Sequence, residues 1–198
     1  MQEMQETPKN SLEDKNIILV NGLPRAGKDT FADYMCEKYG FVKFSFADEL
    51  KDIVCRTFDI SREDLDYFKN DQIELCYNNG GRYEELINFR DLLRRFGTEG
   101  MKPAFGDSVW ADVLYRKIER SKHKNIIVPD FRFLCEYKNL DNIKTVLVQD
   151  ERELPIEGHA SDVELYQNNF KFNYVLYNNK DESFFKEIDN LTKELIKN

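Results

Sequence analysis

Lys28 closes a stretch, Gly22-Leu23-Pro24-Arg25-Ala26-Gly27-Lys28-Asp29-Thr30, whose residue types suit the binding of phosphate groups. Glycines let a backbone curl until successive N–H groups point into one anion-sized hollow. A helix that starts there adds its positive end, and a lysine reaches the β- and γ-phosphates of a nucleotide. Gly22, Arg25, Ala26, Gly27, Lys28, Asp29 and Thr30 are therefore the candidate ATP-binding residues of a Walker A loop. Such loops place Ser or Thr directly after the lysine as a magnesium ligand; here Asp29 takes that position and Thr30 follows. Asp29 either serves the metal, directly or through water, or complements the positive helix end.

Further chemistry is spread along the chain. Arg90, Arg94 and Thr98 are spaced four residues apart, so a helix from Glu85 onward sets them on one stripe, either a cradle for a second phosphate, which the break at Gly97-Thr98-Glu99-Gly100 favours, or a solvated basic face. Asp130 ends an apolar run, where it either faces phosphates and magnesium or caps a helix. Arg132, two residues on, is placed to stabilise charge on a transferring phosphoryl group. Arg152 is a second such candidate on a turn-rich segment, or else the partner of a neighbouring acid. His123 and His159 are not needed as bases: His123 reads as solvent-facing and His159 as a lid or capping residue.

These residues need a frame. Residues 17–20 form a continuous apolar run that suits a strand covered on both faces, and 41–46, 125–129, 144–148 and 173–177 have similar character. Helical patterns cover 28–39, 48–58, 85–96, 109–121 and 183–197. Alternation of the two predicts an α/β fold, a parallel sheet of about five strands flanked by helices. A long helical insertion is expected over 47–124, a short lid over about 150–160 and a tail without periodicity over 1–14. Tyr166, Phe170, Phe172 and Tyr174 read as packing residues.

Composition narrows the partners. The chain has 198 residues with 29 basic and 37 acidic side chains, a net charge of −8, which disfavours nucleic acid polymers and anionic membranes. Four scattered cysteines and two histidines give zinc no ligand set, and the cysteines read as reduced core residues. No apolar run approaches membrane-spanning length, and a cytoplasmic protein of one domain over 15–198 is expected.

Taken in order, the segments resemble the phage-type deoxynucleoside monophosphate kinases of the P-loop kinase group, over nearly everything after the tail. The loop at 22–30 is similar to theirs, including its Asp-Thr ending. Phe46-Ala47-Asp48-Glu49-Leu50-Lys51 is similar to a Phe-Ala-Asp-Pro-Leu-Lys segment, and Arg90 to Glu99 to an Arg-x-x-Leu-Gln-x-x-Gly-Thr-Glu helix end, followed by Gly106-Asp107-Ser108-Val109-Trp110. Asp130-Phe131-Arg132-Phe133 with Glu136 resembles Asp-x-Arg-Phe-x-x-Glu, and His159-Ala160-Ser161-Asp162 resembles His-x-Ser-Glu. Arg94 stands where Gln is usual and Lys102 where Arg is common, departures that bear on the choice of acceptor.

The resemblance implies a three-layer P-loop kinase whose insertion binds the acceptor. Arg90 then holds the acceptor phosphate with Arg94, and Thr98, Glu99 and Trp110 shape the base and sugar pocket. Asp48 and Lys51 belong to the same substrate side, and Asn178 lies near the adenine. The expected reaction is transfer of the γ-phosphate of ATP, with Mg2+, to a (deoxy)nucleoside 5'-monophosphate. The phosphates held at Lys28 and Arg90 must meet in one cleft. Another small-molecule kinase, such as a phosphomevalonate kinase, and a non-catalytic nucleotide-binding module are the alternatives; whether the chain forms a homodimer is open.

Overall fold

The computed structural model describes residues 11–68, 71–78, 82–152, 154, 157–158 and 160–196, with backbone alone at 72–78, 82–86 and 196. The chain divides into two compact units, one of Met1–Phe46 with Leu114–Asn198 and a second of Ala47–Val113, which falls within the insertion expected over 47–124.

The first unit is built on a five-stranded sheet. Its strands are β1 (Asn16–Asn21), β2 (Val42–Lys43), β5 (Asn125–Val128), β6 (Ile143–Gln149) and β7 (Tyr174–Tyr177), in the order β2-β5-β1-β6-β7. Every pairing is parallel. Ile17, Ile18, Leu19 and Val20 are fully buried, as a strand covered on both faces requires. Helices α1 (Lys28–Tyr39), α7 (Ala160–Gln167) and α8 (Ser183–Ile196) belong to this unit. Phe31 and Met35 of α1 and Ile188, Leu191 and Leu195 of α8 pack with Ile18 and Val20 into one core. This is the expected α/β arrangement, a parallel sheet of five strands with helices packed on it. The central strand β1 lies between β5 and β6, so the strand order reverses beside it, and the crevice at the carboxyl ends of such strands is where α/β sheets bind ligands.

The second unit contains α2 (Asp48–Phe58), α3 (Arg62–Tyr67), an antiparallel hairpin of β3 (Gln72–Asn78) and β4 (Arg82–Asn88), α4 (Phe89–Arg94) and α5 (Lys102–Phe105), and the chain leaves it along α6 (Val109–Arg120). Val54, Cys55, Leu65, Ile87, Phe89 and Leu92 form its own core.

Several expectations are corrected here. The insertion is not wholly helical, because β3 and β4 pair in it. The helix expected from Glu85 starts at Phe89, where Asn88 caps it by accepting the Asp91 N–H. Ile87, inside the range expected to be helical, is buried from strand β4 instead. After Arg94 the chain turns into a π-helical segment, Arg95–Met101. Wider winding takes Thr98 off the line through Arg90 and Arg94, so a single four-residue stripe does not form. Residues 11–14, expected in the tail, form a capped 3-10 turn, Leu12–Asp14, with Leu12 buried; residues 1–10 lie outside the described residues. Among the described residues no helix is long and apolar enough to cross a membrane. Cys36, Cys55 and Cys135 form no disulfide, and the Cys76 side chain lies outside the described residues.

Candidate functional site

The turn between β1 and α1 holds a backbone that few side chains tolerate. At Gly22, φ is 150°, and an added Cβ would stand 2.2 Å from the Val148 carbonyl oxygen. At Gly27, φ is 106°, and a Cβ would meet Asn178 Nδ2 at 2.3 Å. Arg25 adopts the left-handed region without being glycine, with φ of 64°. The turn is closed by the Ala26 N–H donating to the Leu23 carbonyl at 3.1 Å. Asn178, from the end of β7, braces it by donating Nδ2 to the Ala26 carbonyl at 2.8 Å. The amide placed near adenine by the resemblance therefore also holds the phosphate loop. Lys28 lies over the loop, its Nζ donating to the Leu23 carbonyl at 2.8 Å, while Asp29 and Thr30 are exposed on the first turn of α1.

Three cations gather at this loop. Burial pushes the Lys28 ammonium below its ordinary value, the Arg132 charge pushes it further, and Arg152 adds to this against the opposing pull of Asp29 and Asp162. Arg132 rides the turn after β5, with Nη1 3.5 Å from Asp162 Oδ1 on α7. Arg152 follows β6; its Nη2 donates to Asp150 Oδ2 at 2.6 Å and to the Pro24 carbonyl of the loop at 2.9 Å. Both readings of Arg152 hold at once, since it is paired with a neighbouring acid and seated on the phosphate loop. Asp150 is a buried carboxylate held down to about 2, chiefly by its hydrogen bonds from Arg152. Glu153, Pro155, Ile156 and His159 of the expected lid lie outside the described residues.

Asp130 stands at the end of β5, where its Oδ2 accepts the Ser45 hydroxyl at 2.6 Å and its Oδ1 accepts the Phe46 N–H at 3.1 Å. The amide it accepts thus belongs to the segment after β2, not to a helix that follows Asp130. Among the described residues no group of three or more His, Cys, Asp or Glu is gathered for a metal. Magnesium needs no such group, because it keeps waters and binds through one or two carboxylates together with substrate phosphates. Hard oxygen donors of that kind are present in Asp29, Thr30 and Asp130.

Sequence reasoning missed a polar layer beneath the loop. Asn21 is buried; its Nδ2 donates to the Phe131 carbonyl at 2.6 Å and its Oδ1 accepts the Tyr166 hydroxyl. Tyr166, read as packing, has its phenol pushed up to about 12, mainly by burial. Asp162 and Glu164 extend α7 toward the Arg132 turn, Glu164 accepting the Leu134 N–H at 2.8 Å. Only the polar residues spaced along 162–166 hinted at this. Phe170 and Phe172 do pack, edge-to-face with Phe131. The His123 side chain is half-buried rather than solvent-facing.

The second unit collects most of the acceptor-side candidates. Arg90 is exposed and has no ion-pair partner among the described residues. Arg94 is engaged, with Nε 3.2 Å from Glu99 Oε1 and Nη2 3.5 Å from Asp91 Oδ1. Trp110 is buried and donates Nε1–H to the Gly97 carbonyl at 3.1 Å, so it can offer a ligand only ring surface. Gly97 in turn lies against Leu50, whose Cδ2 would stand 2.6 Å from a Cβ there. Asp48 and Lys51 are tied down: Arg62 reaches Asp48 Oδ1 at 3.3 Å and Asp52 Oδ1 at 2.6 Å, and Lys51 reaches Asp66 at 2.5 Å. Arg62 was not singled out from sequence, although it organises this network.

Residues 16–85 match the family model of deoxynucleotide monophosphate kinase. The resemblance read from the motifs is borne out. A protein of Acanthamoeba polyphaga mimivirus, provisionally described as a deoxynucleotide monophosphate kinase, is 27% identical over 183 residues, which cover 87% of this chain and 93% of that protein. Among solved structures, dephospho-CoA kinase from Campylobacter jejuni aligns at a TM-score of 0.48 and 15% identity, covering 92% of this chain and 98% of its own. TT1252 from Thermus thermophilus aligns at 0.49 and 16%, covering 92% and 96%. The family model and the viral relative support a nucleotide kinase.

Proposed function

We propose that the protein transfers the γ-phosphate of ATP to a (deoxy)nucleoside 5'-monophosphate, giving the diphosphate. The observation that carries this reading is the gathering of Lys28, Arg132 and Arg152 at the turn between β1 and α1, where burial first and the neighbouring guanidinium charges second lower the Lys28 pKa. A polyphosphate relieves that repulsion, and charge that develops during transfer is stabilised by cations already in place.

In this reading the loop amides, Lys28 and Thr30 hold the ATP phosphates, with Arg25 at the mouth of the loop and Asn178 on the adenine side. Arg132 and Arg152 stabilise the transferring phosphoryl group. Asp29 or Thr30, with Asp130, would hold magnesium, which when bound neutralises charge on the β- and γ-oxygens. Arg90, exposed and unpaired among the described residues, takes the acceptor phosphate, and Arg94 assists once it exchanges Glu99 for the ligand. Thr98, Glu99 and Trp110 border the nucleoside, and the Asp48–Lys51 segment supports that region through Leu50. Attack on the γ-phosphorus is in line, so positioning supplies most of the rate enhancement.

The test is ADP release, measured with a panel of deoxynucleoside and ribonucleoside monophosphates and with phosphomevalonate. Turnover with one or more nucleotides, lost in Lys28→Ala, is the expected result. Turnover with phosphomevalonate alone moves the assignment to another small-molecule kinase. ATP binding with no acceptor-dependent turnover makes the chain a binding module.

A further inference from the structure

The carboxyl of Glu136 is buried and built into the turn that carries Arg132. Its Oε2 accepts the N–H of Arg132 at 2.7 Å and that of Phe133 at 3.0 Å. Glu136 is only 6% exposed, so water does not replace those bonds cheaply. Its own carbonyl accepts the Tyr115 hydroxyl at 2.7 Å, and Tyr115 is itself buried. At the other end of the turn, Asp130 is anchored by Ser45 and Phe46. The backbone on both sides of Arg132 is therefore held, while its guanidinium stays nearly half exposed beside Asp162. A long, flexible arginine on a fixed backbone loses less freedom when it engages a ligand than one on a loose turn.

We propose that Glu136 is a positioning residue for phosphoryl transfer: by accepting the amide hydrogens of Arg132 and Phe133, it fixes the turn that aims the Arg132 guanidinium at the transferring phosphoryl group. This rests on the kinase reading above. Glu136 touches no substrate and moves no proton. Its effect passes wholly through Arg132, and that separates it from a residue that merely keeps the fold together. A residue acting through Arg132 has nothing left to contribute once Arg132 is gone.

The experiment is a double-mutant cycle with kcat and KM measured separately, on the full chain, for Glu136→Ala, Glu136→Gln, Arg132→Ala and the two double variants. Glu136→Ala is expected to lower kcat by about 10–100-fold with KM for ATP changed by less than about 3-fold, since a misaimed transition-state group costs rate rather than ground-state binding. Glu136→Gln keeps an acceptor oxygen and is expected to retain most of the activity. In the Arg132→Ala background neither Glu136 substitution lowers kcat further. Should Glu136→Ala fail to fold, judged by thermal melting, the glutamine pair still decides, because its smaller loss must also vanish without Arg132. Losses that multiply in the double variants overturn the role while leaving the kinase reading intact. Wild-type protein that turns over no monophosphate at all overturns both.

Discussion

Arg152 bridges Asp150 and the phosphate loop, its Nη2 lying 2.6 Å from Asp150 Oδ2 and 2.9 Å from the Pro24 carbonyl oxygen. Its Nε also donates to both Asp150 oxygens, at 2.9 and 3.0 Å, and its backbone N–H donates to Oδ1 at 3.1 Å. The carboxylate side chain is 1% exposed, whereas the arginine is 44% exposed, so a buried anion holds a largely solvated cation in one orientation. Fork-like pairing of this kind fixes geometry as well as charge. The loop after β6 is thereby fastened to the loop after β1.

The pair makes stability depend on pH in a defined direction. Hydrogen bonds from Arg152 hold the Asp150 carboxyl down to about 2, below its ordinary 3.8, so protonation opposes folding. The stabilisation is present in full above about pH 5 and disappears as pH falls through about 2. Urea midpoints of wild type and Asp150→Asn should therefore differ at pH 7 and converge toward pH 2. A gap that stays constant down to pH 2 would show that Asp150 stabilises the protein by packing and not by charge.

Lys28 should report its neighbours through ATP affinity. Its ammonium is shifted down by burial and by Arg132, so ATP affinity should begin to fall at a pH below the ordinary lysine value of 10.5. Arg132→Ala removes the second of those causes, and the falling limb should move to higher pH. Calorimetric titration with ATP across the alkaline range measures both. A limb unmoved in Arg132→Ala would mean that the two charges do not interact.

What could be read from the sequence was what neighbours in the chain determine. The helix Lys28–Tyr39 begins and ends where the glycines at 27 and 40 predict, and the apolar run at 17–20 is the buried centre of β1. Glu85 was misplaced because β4 owes its conformation to pairing with β3, Ile73 facing Ile87, a relationship no local periodicity encodes. The readable signal was Asn88, an N-cap three residues before Asp91. Helix α7 was overlooked for a different reason. Asp162, Glu164 and Tyr166 spend its side chains on polar contacts to Arg132, Leu134 and Asn21, so it lacks the apolar stripe that marks a helix. Asp150 gave no signal of role, since an acid in a turn looks the same whether solvated or buried, and Glu136 was marked only as a member of the Asp-x-Arg-Phe-x-x-Glu segment.

Gly22 is expected to tolerate no side chain. An added Cβ would overlap a backbone oxygen of β6, which cannot rotate away, and φ of 150° is itself unfavourable for alanine. Gly22→Ala should cost about 1–3 kcal/mol or more of folding stability, visible in thermal melts, along with ATP binding. Melts and ATP affinity matching wild type would mean that β1 and β6 can separate at this point without consequence.

Gly97 presents the opposite case, and the difference is useful. There an added Cβ would meet only Leu50 Cδ2, the end of a flexible side chain, at 2.6 Å, and the backbone carries no positive φ. The close approach joins the 46–51 segment to the π-helical turn, whose Gly97 carbonyl is held by the Trp110 indole. Gly97→Ala should therefore displace Leu50 and disturb the acceptor side, raising KM for the monophosphate while leaving KM for ATP within about 2-fold. Leu50→Ala made in the same chain opens the space that the new methyl needs. The double variant should recover acceptor KM relative to Gly97→Ala alone, a coupling of about 0.5–3 kcal/mol by double-mutant cycle. Losses that simply add would mean that the crowding at Leu50 is not what Gly97 is there to avoid.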